Sequence, residues 1–215
     1  MDEKINFQLK LDKKLEEIAT EIENGKKPPS LLLHSCCAPC SSYVLEYLNK
    51  YFSITVFYYN PNISDIVEYS KRVSEQKRLI GELPVVNDVS IIEGDYDPEE
   101  YYSAISGKEN LGERSERCYS CYELRLEKTA IAARDNNFDY FTTTLSISPH
   151  KNAQWINEIG ERMSGKYDVS YLYADFKKKN GYKRSIELSN EYHLYRQDFC
   201  GCKFSKEEKN KNQEV

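Results

Sequence analysis

Apolar and polar positions alternate between two periods along the chain. Residues 31–33 are three consecutive leucines, closed by His34 and bracketed by Pro28-Pro29 and Pro39. A short continuous apolar run between breakers predicts a buried strand over 30–34. From Ser41 the spacing turns helical, with Val44, Leu45 and Leu48 on one face, which predicts a helix over 41–49. Residues 54–59 read as a second strand rich in β-branched and aromatic residues, stopped by Asn60-Pro61-Asn62. A helix over 64–79 places Tyr69, Arg72 and Gln76 on one face by spacings of three and four. Val85-Val86 and residues 89–92 suggest a third strand or a split pair, before a polar turn at 94–98 and a short helix over 99–103. The polar stretch 106–117 reads as a surface loop delivering Cys118, with a helix from Cys121 to about Asn136. A strand over 138–145, a polar loop over 146–152, a helix over 153–163, a strand over 167–172 and a helix over 184–192 complete the pattern.

Strand and helix alternate at least four times, so the expected fold is α/β: a parallel-sheet, Rossmann-like three-layer sandwich. Right-handed crossovers bring the strand C-termini to one edge, where Cys36, Cys37, Asn60, Asp95 and residues 146–150 should converge. Residues 1–29 read as an N-terminal helical extension and linker: Ile5, Leu9, Leu15, Ile18 and Ile22 fall at mixed helical spacings over 5–24, and Gly25 ends the helix. Residues 30–205 form the expected α/β domain and 206–215 a charged tail, frayed from Ser205 onward.

With 215 residues, 40% hydrophobic and 13% aromatic, the chain is long and apolar enough to bury a core without disulfides. No apolar run approaches a membrane span and residues 1–14 carry no signal-peptide core, so a cytoplasmic location with no membrane partner is expected. A net charge of −5 argues against a protein that coats nucleic acid non-specifically. One local basic patch remains, Lys177-Lys178-Lys179 with Lys183 and Arg184, which reads equally as a solvated loop.

The candidate chemistry is in the cysteines. Seven occur, as Cys36-Cys37-Ala38-Pro39-Cys40, Cys118-Tyr119-Ser120-Cys121 and Cys200-Gly201-Cys202. Clusters of this kind in a reducing compartment point to metal or iron–sulfur ligation rather than a disulfide framework. Seven ligands exceed one tetrahedral ion, so one cluster plus a second metal fits the count. A Cys₄ zinc knot, and a thioredoxin-like dithiol at Cys37–Cys40, are the simpler readings. His34 lies within a strand and reads as a core group.

The ordered motifs HSCCAPC, FYYNPNI, YSKRVSEQKRL, RCYSCYELRLEKTA, FTTTLSISPHKN and YRQDFCGCKFS, spread over about residues 30–205, resemble those of the QueH-type epoxyqueuosine reductases. The resemblance implies removal of the epoxide oxygen of epoxyqueuosine, at the wobble position of tRNA, to give queuosine. It implies a [4Fe–4S] cluster beside a second, mononuclear iron, without cobalamin, on a sheet similar to the nucleotide α-hydrolase or ATP-pyrophosphatase fold. The Ser-Gly-Gly-x-Asp-Ser phosphate loop of those ATP users is replaced here by residues 34–40, so ATP is not expected. The implied partners are tRNA carrying epoxyqueuosine and an external low-potential, ferredoxin- or flavodoxin-like electron donor. The chemistry agrees: leaving an alkene takes two electrons, two protons and an electrophile on the oxygen, which a cluster and an iron with an open position can supply.

On this reading Cys36, Cys118, Cys121 and Cys200 hold the cluster, and Cys37, Cys40 and Cys202 lie near the second iron. His150, Tyr43 and Asp95 are candidate proton donors by placement. Thr144, Ser146, Ser148 and Lys151, with Tyr69, Arg72 and Gln76 opposite, are candidates for the substrate walls. Lys183, Arg184 and Arg196 are candidates for tRNA phosphates. The alternatives are a cluster-dependent tRNA-thiolating enzyme, a non-catalytic zinc-stabilised RNA-binding module and a metal-free thiol oxidoreductase.

Overall fold

The structure, a computed structural model, describes residues 5–213. Five parallel strands form one sheet in the order β3-β2-β1-β4-β5: β1 (Ser30–His34), β2 (Ser53–Tyr58), β3 (Val89–Glu93), β4 (Tyr140–Thr143) and β5 (Ser170–Tyr171). The central leucines serve both faces because strand side chains alternate. Leu31 and Leu33 pack into one core with Leu15, Ile18, Leu45 and Leu79, and Leu32 into the other with Leu126, Ala130, Ile156 and Ile159. Helices α1 (Phe7–Glu23), α2 (Ala38–Leu48), α3 (Ile66–Glu82) and α7 (Gly181–Glu191) contribute to the first layer, and α5 (Glu116–Asp135) and α6 (Ala153–Tyr167) to the second. The three-layer parallel α/β sandwich expected from the pattern is present. The strand order reverses between β1 and β4, where an open parallel sheet leaves its ligand crevice. His34 pairs with Thr143, so the segments that follow both strands leave the sheet side by side.

The pattern misplaced several edges. The buried stripe of α1 runs through Phe7, Leu11, Leu15 and Ile18, whereas Ile5 and Leu9 are exposed. Val85-Val86 is not a strand, because the Asn49 side chain accepts from the Val86 and Asn87 backbone and bends the segment. Helix α2 starts at Ala38 with Pro39 in its first turn, where a missing N–H costs nothing, so Cys40 is helical. Ser115 caps α5 through its hydroxyl and starts it at Glu116, which places Cys118 and Cys121 one turn apart on a helix rather than at a loop end. The expected strand over 138–145 is shorter and ends in a 3₁₀ turn, Thr144–Ile147. Helix α4 (Pro98–Ala104) lies between β3 and α5. The segment expected to fray from Ser205 is helical, α8 (Lys203–Gln213), anchored by Arg117, which pairs with Glu208 at 3.0 Å and sits over the Phe204 ring.

His34 is fully buried at the end of β1. Its Nε2–H donates to the Tyr59 carbonyl at 3.0 Å, which leaves Nδ1 to accept from the Thr143 hydroxyl at 2.8 Å. Burial first, and the Arg125 charge second, push this imidazole down to about 3 from an ordinary 6.5. Between those values the unfolded chain binds a proton that the folded chain excludes, so the stability is fully present above about pH 6.5 and lost as pH falls toward 3. The expected slope is about 1.4 kcal/mol per pH unit, or about 2 kcal/mol between pH 6.5 and 5. Urea unfolding of metal-free protein measures it; a His34→Gln variant with the wild-type pH slope would contradict the assignment.

Candidate active site

At the switch point the chain opens a cavity of about 560 Å³, a volume suited to a small molecule or a single nucleoside. Cys36 and Cys40 come to it from the β1–α2 turn, Cys118 and Cys121 from the first turns of α5, and Cys200 and Cys202 from the segment before α8. Cys37 is buried behind them as the N-terminal flanking residue of α2, whose first turn has no side-chain cap. A helix start of this kind favours thiolates.

The Sγ atoms of Cys36, Cys37 and Cys40 lie within 4.8 Å of one another, and those of Cys36 and Cys37 are 3.8 Å apart. A tetrahedron of thiolates about 2.3 Å from one ion has edges of about 3.8 Å, so this triplet could hold a metal. Hydrogen bonds from Cys37 and Cys40, with Lys151 and Arg125 nearby, hold the Cys36 thiol well below its ordinary value. Its partners bear the reverse: Cys37 is pushed up to about 12, first by Cys36, and Cys40 is also raised by Cys36. Metal entry displaces protons from the thiols of this triplet.

The remaining four line the same cavity. Burial raises the Cys121 thiol, with Cys200 and Cys118 as thiol neighbours; burial likewise raises Cys202 to about 12, with Cys200 and Cys121 adding to it. Cys121 and Cys202 also pack together against Tyr101 and Ile105. Cys36 sits with Cys37 and Cys40 because all three flank one helix start, and Cys202 sits with Cys121 because the C-terminal segment folds back onto α5.

Other expected site residues divide clearly. His150, Lys151, Ser148, Arg72 and Arg196 line the cavity. Arg114 donates to His150 Nδ1 at 2.8 Å, so the ring proton resides on Nε2. Lys151 Nζ is 3.3 Å from Cys200 Sγ. Thr144 Oγ1 is 3.8 Å from Cys36 Sγ, whereas the Ser146 hydroxyl is turned to the Phe176 backbone. Gln76 lies under the triplet, its Oε1 accepting from Ser35 and Ser41 at 2.8 Å. Tyr69 packs between Tyr58 and Tyr96, outside the cavity. Tyr43, one turn beyond Cys40, stacks on Tyr47 and packs beside Gly181 of α7, and Asp95 is exposed after β3; neither lines the cavity. Arg184 is tied to Glu46 at 2.6 Å and Glu187 at 3.4 Å, and Lys183 is exposed away from the cavity lining. Lys177 and Lys179 are paired with Asp175 and Asp12, so much of the basic patch is neutralised internally.

Arg125, Arg117 and Arg114 were missed. Arg125 had a signal, since it follows Cys118 and Cys121 by seven and four residues and therefore shares their helix face. Arg114 had none, because its loop carries no period.

Fold and site together define a parallel α/β protein with a thiol-lined cavity at the switch point, suited to soft metal ions. Residues 31–208 match the sequence profile of the family described as epoxyqueuosine reductase QueH. The epoxyqueuosine reductase QueH of Streptococcus pyogenes serotype M1 is 42% identical over 206 residues, covering 95% of this chain and 79% of that protein. That of Staphylococcus epidermidis is 42% identical over 209 residues, covering 95% and 86%. That of Thermotoga maritima is 36% identical over 182 residues, covering 82% and 90%. The chain belongs to the QueH family. No helix among the described residues is long and apolar enough to cross a membrane.

Proposed function

We propose that this chain reduces the epoxide of epoxyqueuosine in tRNA, leaving the alkene of queuosine. The observation that carries the reading is the convergence of Cys36, Cys40, Cys118, Cys121, Cys200 and Cys202 on one cavity at the sheet switch point, in a chain of this family. The reaction breaks two C–O bonds, forms one C=C bond, consumes two electrons and two protons, and releases the oxygen as water. The donor set fits iron: Cys118, Cys121, Cys200 and Cys202 would hold a [4Fe–4S] cluster, and Cys36, Cys37 and Cys40 a single iron. When bound, these centres supply single electrons and a Lewis-acidic position for the oxygen. The electrons come from an external low-potential carrier of the ferredoxin or flavodoxin kind.

The chain's own groups do the rest. His150 lines the cavity with its Nδ1 held by Arg114, which leaves its Nε2–H to donate a hydrogen bond to the departing oxygen. Lys151, pulled above its ordinary pKa by Cys200 against the effect of burial, stays charged and orients the polar end of the substrate. Side chains from α5, α8 and the turn after β4 line the cavity around these groups.

The anticodon stem and loop meets exposed cations at the mouth, Arg114 and Arg196, rather than Lys183 and Arg184. Replacing both mouth residues by alanine should weaken tRNA binding and flatten log Kd against log salt by about 1.4, as two lost phosphate contacts require. The Lys183→Ala/Arg184→Ala pair should leave the slope unchanged, and the opposite ranking would reject this docking face. The functional reading is tested by expressing the chain in cells lacking their own epoxyqueuosine reductases and digesting the tRNA for mass spectrometry. Queuosine should replace epoxyqueuosine; persistent epoxyqueuosine with well-expressed, iron-loaded protein would reject it.

A further inference from the structure

Two arginines reach the backbone of the cysteine-bearing segments from opposite layers, Arg72 from α3 and Arg125 from α5. They are only 2% and 1% exposed. A buried guanidinium is costly unless its donors find acceptors. Arg72 Nε donates to Glu68 at 2.7 Å and Nη1 to the Cys200 carbonyl at 3.2 Å. Arg125 Nε donates to the Cys121 carbonyl at 3.2 Å and Nη1 to Asn60 Oδ1 at 3.4 Å. Each thus grips the backbone of a cysteine, each lines the cavity, and each keeps Nη2 without a partner among the described residues.

The repetition of this arrangement from two unrelated helices points to a shared anionic acceptor in the cavity. The Asn60 side chain that accepts from Arg125 donates in turn to the Ser35 carbonyl at 2.8 Å, so the grip extends to the triplet turn. Opposing burial, the thiol nearest in effect to Arg72 is Cys37, and those nearest to Arg125 are Cys121, Cys200 and Cys36. Arg72 is balanced by Glu68, but Arg125 has no carboxylate partner among the described residues. Its charge therefore answers the thiols themselves.

We infer that Arg72 and Arg125 are positioning residues that direct their free Nη2 atoms at anionic sulfur of the metal–thiolate centres and raise the reduction potential. The inference rests on the reading of the cavity as a metal site. Reduction adds a negative charge, and a fixed cation with an N–H beside sulfur favours the more negative state. Both residues belong to the resting protein rather than to substrate capture.

The test uses full-length, anaerobically reconstituted wild type with Arg72 and Arg125 each changed to Met, Gln and Lys. Iron and sulfide content, metal-free melting temperature and a reductive titration of the visible band are measured. The ratio of reduced to oxidised cluster at fixed potential should fall about tenfold in the neutral variants, a shift of about 59 mV for one electron. The Lys variants should recover at least half of that loss. Neutral variants that load fully and titrate with the wild type overturn the inference, as does an unchanged potential accompanied by weaker tRNA binding. If neither neutral variant loads, loading restored by Lys supports it, and failure of all three variants with lowered melting reduces the arginines to structural props. Wild-type protein that takes up no iron would instead overturn the metal-site reading, so the two failures are distinct.

Discussion

Gly201→Ala protein should lose at least half of its iron and nearly all of its conversion activity while remaining folded. Gly201 lies between two of the thiols and has φ +110, a conformation that costs a side-chain-bearing residue about 1–3 kcal/mol. A Cβ there would stand 3.0 Å from Ile63 Cγ1 and 3.2 Å from Arg72 Nη1. Neither neighbour can yield easily: Ile63 is buried, and Arg72 is held by Glu68 and the Cys200 carbonyl. The Ser64 N–H also donates to the Gly201 carbonyl at 3.2 Å, fixing the loop from the other side. The segment must move, and it takes Cys200 and Cys202 with it. A global loss of about 2 kcal/mol corresponds to a melting decrease of about 4–8 °C, small beside the loss of ligands. Gly165→Ala is the control, since a Cβ there meets nothing within 4 Å and φ is not positive. Equal iron content in the two variants would contradict the role given to Gly201.

The second large effect separates the two thiol groups. Cys40→Ala should lose about one iron per chain and keep a brown cluster, whereas Cys121→Ala should lose about four irons with their sulfide. Conversion should fall at least about 100-fold in both, because an iron centre is worth several kcal/mol of barrier. Cys36, Cys37 and Cys40 lie within 4.8 Å, close enough for one ion, while Cys121 has Cys118 and Cys200 as thiol neighbours and packs with Cys202. Loss of the cluster from Cys40→Ala with its retention in Cys121→Ala would invert the partition.

The α/β sandwich was legible because its signal is repetitive. Leucines at 31–33 must be buried on both faces, and only a central parallel strand does that. The cysteines were legible as a site because β1 ends where they begin. Which thiols neighbour which was not legible, since it depends on how a segment about 80 residues beyond α5's first turn folds back, and sequence spacing carries no such information. Tyr43 and Asp95 follow the same logic. Proximity in sequence to a strand end put them near the edge, but Tyr43 is taken up by packing against Tyr47 and α7, and Asp95 lies exposed outside the cavity lining. The basic run at 177–179 was ambiguous by composition alone, and Asp12 and Asp175 decide it from distant parts of the chain. Arg72 shares a helix face with Tyr69 and Gln76, but its grip on Cys200 spans 128 residues, which no local spacing encodes.

The most direct measurement is a single-turnover conversion of epoxyqueuosine-containing tRNA by anaerobically reconstituted, chemically reduced protein without cobalamin or ATP. Iron and sulfide are counted on the same sample. Queuosine is expected in amounts stoichiometric with loaded protein, at more than about four irons per chain. Intact epoxyqueuosine after mixing with fully loaded, fully reduced protein would contradict it.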